Sequence, residues 1–173
     1  MKKVLIILIG IVIITQSFTC NKKDDTVTPT TTVEITVKDG NSWSASNTSL
    51  SISSAATINL YATQTDVTNN TPKYTATTDQ TGVAKIPVNF QSQYLLTVQK
   101  GNAKNIINGL LVIGTFQSQA EIANSASQAT AVVGGPKFAD VNGDGKIDSN
   151  DKVTADVIIP IQSQNVTKTS IIY

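Results

Sequence analysis

Val33-Glu34-Ile35-Thr36-Val37-Lys38 decides the fold class of this chain. Val33, Ile35 and Val37 fall on one side of an extended segment, and Glu34, Thr36 and Lys38 on the other. That period of two is the pattern of a strand with one face buried and one face wet. The turn residues Asp39-Gly40-Asn41 end it. Working outward, Ile58, Leu60 and Ala62 repeat the alternation, as do Ala84, Ile86 and Val88, and then Tyr94, Leu96 and Val98. Gly82 and Gly101 punctuate the intervals. Short alternating strands at this spacing, rich in Thr, Val and Ile, predict an all-β, antiparallel sandwich and not a parallel sheet.

On either side of these strands the texture changes. From Asn21 to about Thr31 the chain is Thr-rich and nearly free of apolar residues, the composition of a flexible tether. Beyond Gly101, the run Asn105-Ile-Ile-Asn-Gly-Leu-Leu-Val-Ile-Gly114 is apolar with Gly breaks and predicts a further buried strand. Ser118-x-x-Glu121 ahead of Ile122 has the form of a capping box and predicts a short helix near 119–126. Gly134-Gly-Pro136 should interrupt regular structure. Val157–Ile161 and Val166–Tyr173 read as closing strands, with Pro160 pointing to an edge position for the first. The expected organisation is a leader over 1–19, a tether over 20–31, a sandwich over 32–101 and a C-terminal extension over 102–173.

Within that extension, Asp140-Val-Asn-Gly-Asp-Gly-Lys-Ile-Asp-Ser-Asn-Asp151 carries the chemistry. A twelve-residue calcium loop takes oxygen ligands at positions 1, 3, 5, 7, 9 and 12, with a Gly at 6. Those positions are Asp140, Asn142, Asp144, Lys146 (through its backbone carbonyl), Asp148 and Asp151, and the Gly is Gly145. Four carboxylates within twelve residues repel one another unless a cation lies between them. A Ca2+ ion with six to eight oxygen ligands removes that repulsion. The bland alternative is a polar, Gly-rich turn with solvated acids. Gly134-Gly-Pro-Lys-Phe138 offers no helix ahead of the loop, so a complete EF-hand is not expected. The loop is similar to that of dockerins, which carry two copies, so a cohesin partner is not expected either. Asp151 is shorter than the bidentate Glu usual at that position, which predicts modest affinity.

Lys2 and Lys3 precede an apolar run from Val4 to Ile14. Eleven residues as a helix would cross only about half of a ~30 Å hydrocarbon core, so the run reads as a secretory leader and not as a membrane span. Ser17-Phe18-Thr19-Cys20 resembles a bacterial lipobox, although Ser17 and Thr19 depart from its commonest residues. The resemblance implies lipidation of Cys20, the single cysteine; the alternative is an ordinary signal peptide. Lys22-Lys23-Asp24-Asp25 resembles the run that exports some Gram-negative lipoproteins to the outer face of the outer membrane, where the alternative is a solvated linker. Asp25-Thr26-Val27 resembles an O-glycosylation acceptor of the same kind of bacteria.

Val37-Lys-Asp-Gly40, Ile58-Asn-Leu-Tyr61, Thr78-Asp-Gln-Thr-Gly82 and Tyr94-Leu-Leu-Thr-Val98 resemble the carboxypeptidase-regulatory-like, or transthyretin-like, family over about residues 32–101. The family's usual Gly-x-Pro after the first strand is missing. The resemblance implies a small, mostly non-catalytic sandwich in which Thr78, Asp79 and Gly82 serve a turn. Ile113–Ile122 and Phe138–Asp148 resemble an extracellular segment of starch-utilisation-type TonB-dependent transporters. That implies an outer-membrane transporter or a glycan as a partner, while transport itself is not implied because the chain has no barrel.

Composition excludes several functions. Arg and His are absent, which removes His-dependent triads, histidine metal sites and bidentate Arg clamps. The chain carries 13 Lys and 12 acidic residues; cleavage before Cys20 would remove two Lys and leave a net charge of −1 on 154 residues. No basic excess exists to hold a nucleic acid. The reading that results is a non-catalytic, calcium-binding surface lipoprotein acting as an accessory or ligand-binding module. The alternatives are a secreted glycan hydrolase or an adhesin-type structural protein. A hydrolase needs two carboxylates about 5–9.5 Å apart across a cleft. Here the acids cluster in one loop, and Glu34 and Glu121 are the only glutamates. Trp43, Tyr61 and Tyr74 are candidates for a small sugar platform, against ordinary core or turn packing.

Overall fold

The computed structural model describes residues 30–125, 129–161 and 166–173. The strands in chain order are β1 (Thr30–Asp39), β2 (Ser51–Ile52), β3 (Thr57–Tyr61), β4 (Tyr74–Thr77), β5 (Val83–Asn89), β6 (Tyr94–Lys100), β7 (Ala103–Lys104), β8 (Ile106–Ile107), β9 (Leu110–Thr115), β10 (Pro136–Phe138), β11 (Asp156–Ile158) and β12 (Val166–Ile172). Two short helices, α1 (Gln64–Asn69) and α2 (Gln119–Asn124), interrupt them.

The architecture is an all-β sandwich, as the alternation predicts. One layer places β1 between β12 on one side and β2 and β5 on the other; the second runs β11-β6-β3-β4, with β7 beside β6. A small third sheet, β10-β9-β8, belongs to the C-terminal extension. The core lies between the two main layers. Val33, Ile35 and Val37 of β1 and Ala84, Ile86 and Val88 of β5 face Ile58 and Leu60 of β3 and Tyr94, Leu96 and Val98 of β6. The three β1 side chains are fully buried. At about 1.5–3 kcal/mol for each buried Val or Ile, they contribute about 5–9 kcal/mol. A whole domain is stable by only about 5–15 kcal/mol, so the fold cannot lose β1, nor β6, whose Tyr94, Leu96 and Val98 are buried to the same degree.

The pairing departs from a purely antiparallel sandwich at one place: β12 runs parallel to β1. The route of the chain explains this. Strand β11 pairs antiparallel with β6, ending at Ile158 opposite Tyr94. The chain then crosses to the other layer, where Val166 lies opposite Thr32. A strand that enters at the end where β1 begins must run in the same direction as β1. Glu34 stitches this layer across its wet face, with its carboxylate 3.1 Å from Lys168 Nζ on β12 and 3.5 Å from Lys85 Nζ on β5. The lysines hold the Glu34 carboxyl below its ordinary pKa, mainly through the Lys168 hydrogen bond.

Several sequence expectations need adjustment. Strand β1 begins at Thr30, because β5 continues far enough to pair Asn89 with it, and Thr31 is already buried. The apolar run at 105–114 is a hairpin and not one buried strand; Ile107 and Ile113 remain exposed. Pro136, expected to break structure, begins β10, which pairs with β9 alone. Strands β11 and β12 each join a layer of the sandwich, so the last part of the 102–173 extension is built into both layers.

Candidate functional site

The loop from Asp140 to Asp151 hangs between β10 and β11. Its backbone is wound by its own acids. Asp140 accepts the Gly143 N–H on Oδ1 at 2.7 Å and the Gly145 N–H on Oδ2 at 2.7 Å. The Asn142 carbonyl oxygen accepts the Asp144 N–H, and Asp144 Oδ1 accepts the Lys146 N–H, both at 2.9 Å. Asp148 opens a short 3-10 turn, Ser149–Asp151, by accepting the Asn150 N–H at 2.7 Å. Every second residue from 140 to 144 thus turns a side-chain oxygen back into the loop. A loop of this curvature needs left-handed residues, and Gly143 and Gly145 supply them with φ +75° and +79°.

Asp151 closes the ring. Its side chain is wholly inaccessible to solvent, and its Oδ1 accepts the Val141 N–H at 2.9 Å while its Oδ2 accepts the Asp148 N–H at 2.8 Å. The first residue after Asp140 is therefore tied to the last residue of the loop. These bonds lower the Asp151 pKa, the Asp148 N–H being the largest contributor. A buried carboxylate stays ionised here because backbone donors replace the water it has lost.

The structure thus gathers all six sequence-predicted ligand residues into one closed loop. Asn142, Asp144, Lys146 and Asp148 are exposed, Asp140 is half-buried, and Asp151 forms the floor. The donor set fits a hard cation: four carboxylates, one amide carbonyl and a backbone carbonyl, all oxygen. Among the described residues no group of three or more acidic side chains stands in a metal-holding arrangement. Ligation would be completed by rotation of side chains such as Asp144 and Asp148, which their exposure permits.

The other candidates fare differently. Cys20 and the run Lys22, Lys23, Asp24 and Asp25 lie outside the described residues. Asp79 serves its turn: Oδ1 accepts the N–H and hydroxyl of Thr81 and the N–H of Val83, which lowers its pKa, the Thr81 hydroxyl first. Thr78 braces the same turn, accepting the Ala56 N–H and donating to the Ser53 carbonyl. The aromatic trio does not form a platform. Tyr61 and Tyr74 belong to β3 and β4, whereas Trp43 packs against Gly134 and lines a cavity of about 280 Å³ with Tyr173 and Pro136. Glu121 is held by the Gln117 N–H at 2.7 Å and by Lys137 Nζ at 2.8 Å.

Among the polar residues of the interior that sequence reasoning missed, Asn105 is the most deeply buried. Its Oδ1 accepts the Val98 N–H at 2.8 Å in full burial, and its Nδ2 has no partner among the described residues. An Asn just past the Gly101 turn was the available signal, but nothing local distinguishes it from a loop Asn. The chain matches no family model, and no curated protein matches it either.

Proposed function

We propose that this chain is a non-catalytic lipoprotein module, held at the outer membrane through Cys20 and displayed at the cell surface, that binds one Ca2+ ion in its C-terminal loop. The observation that carries the reading is the closed ring of Asp140 to Asp151. Residues at every ligand position of a calcium loop share one turn, with left-handed Gly143 and Gly145 within it. Asp140, Asn142, Asp144, Asp148 and Asp151 would hold the ion with the Lys146 carbonyl. The non-catalytic reading is supported by how the remaining acids are used: Glu34 and Glu121 are paired with lysines, and Asp79 with its own turn. An outer-membrane transporter or a glycan as partner rests on the resemblance of residues 113–152, and the transthyretin-like assignment on that of residues 32–101.

The ion's role is local. Extracellular calcium modules bind with a Kd of about 10⁻⁴–10⁻³ M. At roughly millimolar calcium, the linkage relation gives about 0.4–1.4 kcal/mol of stabilisation. Calcium would order a loop and leave the sandwich standing without it. Calorimetric titration tests this. Asp144→Ala is expected to abolish the binding heat and to move the melting temperature only slightly. Equal heats in wild type and variant, or none in either at millimolar calcium, would refute the assignment.

A further inference from the structure

The end of the sandwich where β1 begins differs in chemistry from the opposite end. Strand β1 emerges at Thr30 between two neighbours, with Asn89 of β5 opposite Thr30 and Val166 of β12 opposite Thr32. Around that exit four large apolar side chains are exposed among uncharged polar residues such as Asn89, Ser92 and Gln93. Phe90 follows Asn89, and Ile159 and Ile161 follow β11, whose last residue pairs with Tyr94 at this same end. The Ile161 N–H reaches Thr167 Oγ1 at 2.7 Å, which ties the crossing segment to the start of β12. Phe90 is 37% exposed, Ile159 66%, Ile161 52% and Val166 45%. Scattered exposed hydrophobics are ordinary, but four around one chain exit form a patch. No charged residue occurs in 89–93, 157–161 or 166–167. The opposite end carries Asp39, Asp79, Lys100 and Lys104. One cation stands near this end, Lys73, whose Nζ lies 5.9 Å from the ring centroids of Tyr74 and Tyr94; its long side chain lets the ammonium stay hydrated while the apolar residues are buried.

We propose that this rim docks on the lipid surface that holds the Cys20 anchor, an inference that rests on the lipoprotein reading above. The length of chain ahead of Thr30 selects that occupant. Nine residues lie between Cys20 and Thr30, and the ten steps from one to the other, at most about 3.6 Å each, reach about 36 Å. The end nearest the bilayer is the end from which the tether emerges, and that end is the apolar one. Tethering also makes docking intramolecular, at an effective concentration in the millimolar range for a short flexible linker. A few shallowly inserted aliphatic and aromatic side chains then suffice, as they do for interfacial anchors. Docked this way, the sandwich would stand with its charged end outward.

The test uses the mature, lipidated protein in vesicles of phosphatidylcholine and phosphatidylethanolamine. Cys20 is the single cysteine and its sulfur would be consumed by the lipid, so Ile159→Cys provides a unique thiol for an environment-sensitive fluorophore. Phe90→Cys gives a second label on the rim, and Asn102→Cys one at the opposite end. Docking predicts that the labels at 159 and 90 shift to the blue and are quenched by lipids brominated on their acyl chains, while the label at 102 does neither. Co-flotation of the protein with unchanged emission at 159 and 90 would overturn docking and leave the anchor intact. Failure to co-float would overturn the anchor and the docking with it. A blue shift without vesicles that grows with protein concentration would assign the rim to contact between copies and overturn lipid docking.

Discussion

Replacing Gly134 by Ala should be among the most damaging single-methyl changes in this protein, because two costs coincide there. Gly134 has φ +82°, a left-handed conformation that costs an L-residue about 1–2 kcal/mol. A Cβ at this position would also fall onto the Trp43 ring, 2.7 Å from Cζ3 and 2.9 Å from Cδ2. Neither partner can step aside easily. The Gly134 N–H bonds the Phe116 carbonyl at 2.6 Å and the Phe116 N–H bonds the Gly135 carbonyl, so the backbone is pinned to a fully buried residue. Overpacking of this kind costs about 1–3 kcal/mol. Together the two effects predict about 2–5 kcal/mol. With a urea slope of about 2 kcal/mol/M for a protein of this size, the unfolding midpoint should fall by about 1–2.5 M. Trp43 is the single tryptophan, so its fluorescence reports the contact directly, and circular dichroism reports the sheets. Gly114→Ala is the control: a Cβ there meets nothing within 4 Å, and the change should stay within about 0.5 kcal/mol. In a Trp43→Ala background, Gly134→Ala should cost only its backbone strain. Equal destabilisation by Gly134→Ala in the two backgrounds would refute the packing of the extension against Trp43.

Three further outcomes are expected. Asn105→Ala leaves the Val98 N–H without its buried acceptor and should cost about 1–3 kcal/mol by urea denaturation; an unchanged midpoint would contradict the bond. Glu34, Asp79, Glu121 and Asp151 all have pKa values lowered in the folded state. Such groups stabilise above their unfolded pKa of about 4, and that contribution is lost as pH falls through the lower folded values. Asp156, raised by burial, works in the opposite sense. The melting temperature should therefore be nearly flat from pH 7 to 5 and fall below about pH 4, whereas a maximum near pH 3 would contradict the hydrogen-bond pattern. If the run Lys22, Lys23, Asp24 and Asp25 is the export address proposed above, replacing it with Ala should leave the protein lipidated but facing the periplasm, so that protease added to intact cells digests wild type and spares the variant; equal digestion would reduce the run to a solvated linker, and equal protection would place the native protein inside the outer membrane.

What was legible in the sequence was local. The inward sets at 33–37, 84–88 and 94–98, and Ile58 and Leu60, show because strand alternation places burial and solvent at fixed spacing, and all of these are buried; Ala62, expected to continue the second set, lies past the end of β3 and is only half-buried. The closed turn from Asp140 to Asp151 shows for the same reason: the alternation of Asp, Asn and Gly carries the loop's own hydrogen-bond pattern in its spacing. Helix α2 was legible from Ser118, which accepts the Glu121 N–H, although the Glu121 carboxylate reaches the Gln117 N–H and not the cap residue. Helix α1 was overlooked because its box is Thr63-x-x-Asp66, with the shorter acid. The β8–β9 hairpin was marked by Asn108-Gly109, both with positive φ, but the apolar residues on either side drew the reading toward one buried strand. Long-range features left no such trace. The parallel pairing of β12 with β1 and the seat of Trp43 on Gly134 depend on where the chain crosses between layers, which no stretch of residues encodes alone.

The most direct test of the account is a calcium titration of the mature protein followed through its backbone amide resonances. Gly143 and Gly145 donate their N–H groups to Asp140 within the loop, whereas Gly101 and Gly134 lie outside it. The account predicts that the resonances of Gly143, Gly145 and the Val141 N–H, bonded to Asp151, move in a saturable way with a Kd of about 10⁻⁴–10⁻³ M, while those of Gly101 and Gly134 stay fixed. Loop resonances that stay fixed at millimolar calcium, or that move without saturation, would contradict it.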